Sequence, residues 1–380
     1  MDFELSEDQV ALRDAARSLL EGSCPTSHVR EVADAGRHFD DELWAAMADQ
    51  GWPGVECSVE DGGLGLGLVE VAVLCEQLGR HLAPVPFAGT VVAQGAIASA
   101  ITSGALEAGS TTALRDTDVG TWARRLSTGE ATGAVAWSRR VDAVRARLDR
   151  DGTWRLQGRS DPVVGGPSAD VLVVLAEADG APALFTLASD EGASCISEPA
   201  MDRTRALGWL ELDDRPALRL GDEDAAATVL DRAVAAVCAE MLGAADVVLA
   251  MTVQYAKDRV QFGRPIGGFQ AVKHRCADML VDVEGMRSAT YYAAWAVGAQ
   301  DPEASAAASA AKVWCSDAAR RVMASGLQVH GGIGFTWEHD LHLFLKRSQL
   351  DQVTFGDAGY HRERIARVLK VRAEAGLPVF

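Results

Sequence analysis

At 380 residues the chain exceeds one hydrophobic core, since domains run to roughly 100 to 200 residues; its 48% hydrophobic and 24% charged content is that of a folding globular protein. A formal net charge of −18 argues against a nucleic-acid partner, which needs clustered Lys and Arg, and makes any cation that must meet an anionic ligand stand out. Seven cysteines without a Cys-x-x-Cys pair or metal-ligand spacing fit a reducing cytoplasm and supply no metal site; Met1, Asp2, Phe3 and Glu4 do not open a secretory signal, and no run of about 18 apolar residues predicts a membrane span.

Ser6 followed by Gln9 reads as a capping box, with Leu5 and Val10 placed as its hydrophobic staple, so a helix is expected to begin there. Leu12, Ala16, Leu19 and Leu20 give it one buried face. Further helical signal covers Leu43 to Met47 and Leu68 to Leu78. The glycine-rich stretch Asp61 to Gly67 between them follows no strand and precedes no Lys, so it reads as a tight helix connection rather than a phosphate loop. The period then changes. Val144, Ala146 and Leu148 alternate with charged residues, and after a turn at Asp151 and Gly152 the alternation resumes at Trp154 and Leu156, which predicts a hairpin. Val171 to Leu175 and Ala183 to Leu187 read as buried strands, making residues from about 115 to 222 an all-β barrel or sandwich. From about Ala225 helical spacing returns at Leu230, Val234, Val237 and Met241. Long helices are expected to about Lys257, from Phe269 to Val297, onward to Val329, and from Tyr360 to Ala375, joined by short links as in a bundle.

Two stretches carry chemistry. Tyr255, Arg259, Gln261, Phe262, Gly263, Ile266, Phe269 and Gln270 place a guanidinium, an amide and an aromatic ring at a helix end, followed by glycines that let a ligand reach the main chain. Gln328, His330, Gly331, Gly332, Gly334 and Phe335, with Glu338, Lys346 and Arg347 beyond, repeat the theme of an amide beside paired glycines, which suits a pyrophosphate.

The first stretch resembles the Y-x-x-x-R-x-Q-F-G-x-x-I-x-x-F-Q signature of acyl-CoA dehydrogenases, and the second is similar to that family's Q-x-x-G-G-x-G segment. Leu43 with Trp44, Gly51 with Trp52, Gly62 to Gly65, and Glu76 to Gly79 resemble its N-terminal domain, so the likeness covers nearly the whole chain. The resemblance implies a multidomain α and β fold: an N-terminal helical domain over 1–112, a middle β-barrel over 113–222 and a C-terminal four-helix bundle over 223–380. It implies FAD-dependent α,β-dehydrogenation of an acyl-CoA thioester, with an electron-transfer flavoprotein or similar acceptor and a homo- or hetero-oligomer, dimer or tetramer. By the same resemblance Arg259, Gln261, Phe262, Ile266, Phe269, Gln328, Gly331 and Gly332 would bind FAD across a subunit interface, and His330, which stands within a structural motif of that family, would be a packed histidine rather than an acid or base.

The sequence departs from that pattern at the base. Where the family carries Y-E-G-T, this chain has Thr354, Phe355, Gly356 and Asp357, and a phenylalanine takes no proton. The family's other position for the Glu falls at Ala233, with Asp231 and Arg232 within a turn. Asp231 and then Asp357 are the candidate bases; taken alone, each also reads as a carboxylate near a helix N-terminus, favoured by the dipole. The middle-domain segments that hold the flavin ring in relatives stand here as Ala136 to Arg139 and Pro162 to Gly165. The alternative to an active enzyme is therefore a non-catalytic subunit that completes the FAD site of an active partner in a heteromeric dehydrogenase.

Overall fold

The structure, a computed structural model, describes residues 4–106, 118–189 and 195–376. Five helices come first: α1 (Glu7–Ser23), α2 (Thr26–Asp34), α3 (Asp41–Asp49), α4 (Leu68–His81) and α5 (Phe87–Thr102). A sixth, α6 (Val119–Ser127), precedes strands β1 (Gly133–Ala136), β2 (Val144–Leu148), β3 (Trp154–Arg159), β4 (Val163–Val164), β5 (Val171–Ala178), β6 (Ala181–Ala188), β7 (Cys195–Ser197) and β8 (Leu207–Gly221). Then follow α7 (Glu223–Asp258), a small hairpin of β9 (Val260–Gln261) and β10 (Arg264–Pro265), α8 (Gln270–Gly298), α9 (Ala304–His330), α10 (Leu341–Val353) and α11 (Ala358–Glu374). The chain packs as two compact units: 1–29, 69–83 and 234–380 form one, and 30–68 with 84–233 the other.

In the helical unit, α1 starts as its sequence dictates: the Ser6 side chain accepts from the Gln9 N–H, and the Gln9 side chain accepts from the Ser6 N–H. Val234, Met241, Ala245, Val248 and Thr252 line one buried face of α7, each side chain of Val size or larger contributing roughly 1.5 to 3 kcal/mol on burial. By length and composition α7 could cross a membrane, which the sequence expectation did not anticipate; 78% of its most apolar window is buried inside the protein, as in a core helix. Glycines let the helices approach closely. A Cβ at Gly243 would collide with the Glu76 carbonyl of α4, and one at Gly79 with the Glu240 carbonyl of α7. Beside this contact the buried Glu76 accepts from Arg287 Nη1 at 2.7 Å and from the Tyr291 hydroxyl at 2.6 Å, so the charge taken out of water is fully paired.

In the other unit the expected hairpin forms, with Leu148 opposite Trp154 and Val144 opposite Gly158. β5 pairs with β6, β6 with β8, β8 with β3, β3 with β2 and β2 with β5, which closes a ring of strands; β5 runs parallel to β2 and antiparallel to β6. Ala134, Leu156, Leu172, Val174, Phe185 and Leu210 fill its core. The all-β reading of 115–222 needs one correction. α6 lies inside that span, capped by Asp118 on the Thr121 N–H and burying Val119, Trp122 and Leu126 at helical spacing. The glycine-rich link is a wrapped connection: the N–H groups of Leu64, Gly65 and Leu66 bond Gly54, Cys57 and Val55 carbonyls. Those donors are consumed internally, so none of the three is offered to a phosphate.

Candidate functional site

α7 ends just before Arg259, whose N–H still bonds the Tyr255 carbonyl at 2.9 Å. The chain then reverses through a two-residue hairpin with Gln261 opposite Arg264. Phe262 and Gly263 have φ of 54° and 79°, the two positive values a type I′ turn requires. For a phenylalanine this costs roughly 1 to 2 kcal/mol, and the ring is 91% exposed, so burial within this chain does not offset the strain. The ring edge meets Phe269 with centroids 6.1 Å apart, and the Arg264 guanidinium lies 4.2 Å over the other aromatic. Ile266 N–H donates to the Arg259 carbonyl at 2.8 Å and closes the hairpin base, while the Gln261 amide donates to the Val260 carbonyl at 2.8 Å. Arg259 is exposed, and among the described residues no carboxylate pairs with it.

α9 terminates at His330, with Gly331 at φ 63° leading into a short 3₁₀ turn over Gly331–Phe335. Gln328, Gly331 and Gly332 are exposed, and a Cβ built on either glycine would meet nothing within 4 Å. Open main chain of this kind admits a ligand's oxygens where any other residue would place a side chain. His330 is packed, as the sequence suggested: it is 4% exposed, its Nδ1 lies 2.8 Å from the Gly326 carbonyl, and burial lowers its pKa from the ordinary value. Its ring stacks on Tyr255 with centroids 4.5 Å apart and planes 23° from parallel. That stack brings the two sequence segments together at one end of the helical unit. Gly326 allows it, since its Cα faces Val248 and Thr252 of α7 at a distance where a Cβ would touch both.

The candidate bases are placed differently. Asp357 is the N-cap of α11, accepting the Tyr360 N–H at 2.8 Å. In the turn before it Phe355 has φ 58° and Gly356 φ 95°, and the Phe355 carbonyl lies 2.9 Å from His361 Nε2. His361 is fully buried, its Nδ1 3.3 Å from the Ser309 hydroxyl, and burial pushes its pKa down to about 4. Lys312, also fully buried, donates from Nζ to the Asp351 carbonyl near the end of α10. Asp231 sits in the other unit, 3% exposed within α7, next to Arg232, which pairs with Glu56. In the middle segments, the Ser138 hydroxyl accepts the Asp161 N–H at 2.8 Å, and Val163 and Val164 pair with β8. Beyond the glycines Phe335, named in the sequence, is 72% exposed; sequence reasoning missed its neighbour Trp337, 67% exposed, with Lys346 Nζ 4.2 Å over its ring. A second large aromatic two residues after Phe335 was the available signal.

Residues 6–112 match the N-terminal domain of acyl-CoA dehydrogenases and residues 224–370 the C-terminal domain. The chain is 32% identical over 345 residues to acyl-CoA dehydrogenase IpdE2 of Mycolicibacterium smegmatis, covering 90% of this chain and 93% of that protein. The chain belongs to the acyl-CoA dehydrogenase family. Within the family it is also 30% identical over 381 residues to acyl-CoA dehydrogenase FadE27 of Mycobacterium tuberculosis, covering 97% and 99% of the two chains. Among solved structures it is similar to a chain of the ChsE4-ChsE5 complex from Mycobacterium tuberculosis, with a TM-score of 0.86 and 31% identity over 97% of this chain and 99% of that one. The arrangement of helical N-terminal region, β region and helical C-terminal region is thus that of an acyl-CoA dehydrogenase.

Proposed function

We propose that this acyl-CoA dehydrogenase family member is the subunit of a heteromeric dehydrogenase that completes a FAD site for a partner subunit carrying the catalytic carboxylate. One observation carries the reading: the Arg259 hairpin and the Gly331–Gly332 segment converge through the Tyr255–His330 stack and stand exposed, while the family's position for the base holds Phe355 in a turn closed by His361. A lone guanidinium, amide groups and bare glycine main chain are a donor set that fits a dinucleotide pyrophosphate. FAD, when bound, supplies a hydride acceptor for the β-hydrogen of an acyl-CoA thioester. Arg259 would hold a pyrophosphate oxygen by a charge-assisted hydrogen bond, Gln261 and Gln328 would orient the ADP half through their amides, and Gly331 and Gly332 would leave their main chain accessible to it. Phe262, with Ile266 and Phe269 behind it, would cover the ligand and exclude water. Neither Asp231 nor Asp357 is assigned the proton; the first is buried in a helix and the second is committed to a cap. A relative of the same fold occurs in a two-subunit complex, which supports a heteromeric assembly here. An electron-transfer flavoprotein or similar acceptor would reoxidise the flavin.

The test is the visible spectrum of the chain expressed alone and with a family subunit that carries the Glu. Colourless protein alone and a yellow complex that reduces an electron acceptor on addition of acyl-CoA are expected. A yellow chain that turns over acyl-CoA by itself sinks the heteromeric reading and restores a complete acyl-CoA dehydrogenase. Arg259→Ala should weaken flavin retention by about tenfold or more, the loss of one charge-assisted contact of roughly 1.5 to 3 kcal/mol.

A further inference from the structure

The Tyr255–His330 stack joins two segments that the sequence separates widely, and its chemistry is set by one proton. His330 Nδ1 faces a carbonyl, Gly326 O at 2.8 Å, so Nδ1 carries the hydrogen. Nε2 then bears the lone pair, and among the described residues this buried atom has no hydrogen-bond partner. Among the described residues, three groups are in contact with the ring. Tyr255 from α7 lies against its plane, the Gly326 carbonyl belongs to its own helix, and His339 from the turn before α10 meets it edge to face at 4.7 Å. His339 Nδ1 accepts the Leu341 N–H at 3.1 Å, which leaves the His339 proton on Nε2. A proton added to His330 Nε2 would therefore bury an N–H and a charge that, among the described residues, meet no acceptor and no carboxylate, beside another imidazole. Only the neutral ring fits the slot.

Tyr255 is in turn coupled to the functional hairpin, because its carbonyl receives the Arg259 N–H at 2.9 Å, and His330 adjoins Gly331 directly. We infer that His330, as the neutral Nδ1–H tautomer stacked on Tyr255, is the positioning residue that sets Arg259 in register with Gln328 and Gly332, and so determines how tightly this end of the helical unit holds a dinucleotide. The inference rests on the flavin-facing assignment made above. Because burial keeps the ring neutral to lower pH than usual, retention is flat through neutral pH and fails on the acid side, where protonation breaks the stack.

The experiment compares flavin retention in the flavin-loaded assembly, with FAD itself as the probe, as a function of pH for the parent, His330→Phe, His330→Ala and Arg259→Ala, together with the unfolding temperature of each chain alone. His330→Phe keeps an aromatic ring on Tyr255 and removes the titration, so it should retain flavin near the parent level at neutral pH and lose the acid-side step. His330→Ala should raise the FAD dissociation constant by about tenfold, as for a lost positioning contact. The inference is overturned if His330→Ala holds FAD as the parent does while Arg259→Ala loses it, or if His330→Phe keeps the acid-side step. If Arg259→Ala also leaves retention unchanged, the flavin-facing assignment itself fails, and the register inference with it.

Discussion

Two Phe-Gly pairs in the helical unit share positive φ angles and lie in opposite surroundings. Phe262–Gly263 and Phe355–Gly356 each place two consecutive residues at positive φ. At the first, the ring stands in solvent and nothing lies within 4 Å of a Cβ built on the glycine. At the second, the same construction would lie 2.5 Å from Tyr360 Cδ1 and 3.1 Å from His361 Nε2, and the phenylalanine carbonyl is held by that histidine. The dihedral angles are local; what the neighbours do with them is not. One turn leaves its phenylalanine ring and the space beside its glycine open, and the other is closed by Tyr360 and His361.

The contrast is sharpest for alanine at the two glycines. Gly356→Ala combines left-handed strain with collision against Tyr360, and should cost about 3 kcal/mol, read as a drop in the denaturation midpoint. A cost below about 1 kcal/mol would mean that the closed turn is as yielding as the open one. Acid sensitivity comes next. His361 has its pKa at about 4 in the folded chain against 6.5 in the unfolded one, so the unfolded chain binds more protons between those values. Its contribution is present in full above pH 6.5 and is lost as the pH falls toward 4, by roughly 3 kcal/mol at most. In His361→Gln, stability measured by denaturant titration should fall less steeply over that window, and an unchanged slope would assign the acid loss elsewhere. At the open turn the effects shrink: Gly263→Ala should cost only about 1 kcal/mol, strain without collision. Phe262→Ala should change stability by less than about 0.5 kcal/mol in the isolated chain while reducing flavin retention in the assembly. A large loss of stability in the isolated chain would show that the exposed ring serves the chain's own folding.

How much of this was legible in the sequence follows from where polar residues fall. The capping box at Ser6, the β2–β3 hairpin and the long periods of α7 to α9 were readable because they follow local capping and apolar spacing. α10 was not, because His342, Arg347, Ser348 and Asp351 are among its buried residues and defeat an apolar pattern. Its Arg347 bonds the Leu82 carbonyl and its Asp351 carbonyl receives Lys312, contacts made across the fold that no local window contains. α6 was missed because it is only nine residues long and its apolar face reads as an interruption of a β segment. At the candidate site the residues and the convergence of their two segments were expected from the sequence, but the contact that joins them was not: a tyrosine and a histidine stack between helix ends that are neighbours only in three dimensions.

The glycine contact between α4 and α7 has a consequence for how the chain matures. Backbone meets backbone there, so α4 reaches this seat only once α7 exists, and α7 is made only after the whole barrel has been synthesised. Since domains emerging from the ribosome tend to fold in order, the barrel is ready to close while the first helices still lack their seat. During that interval α4 exposes its apolar side, and a nascent chain halted before α7 is the form most in need of a chaperone.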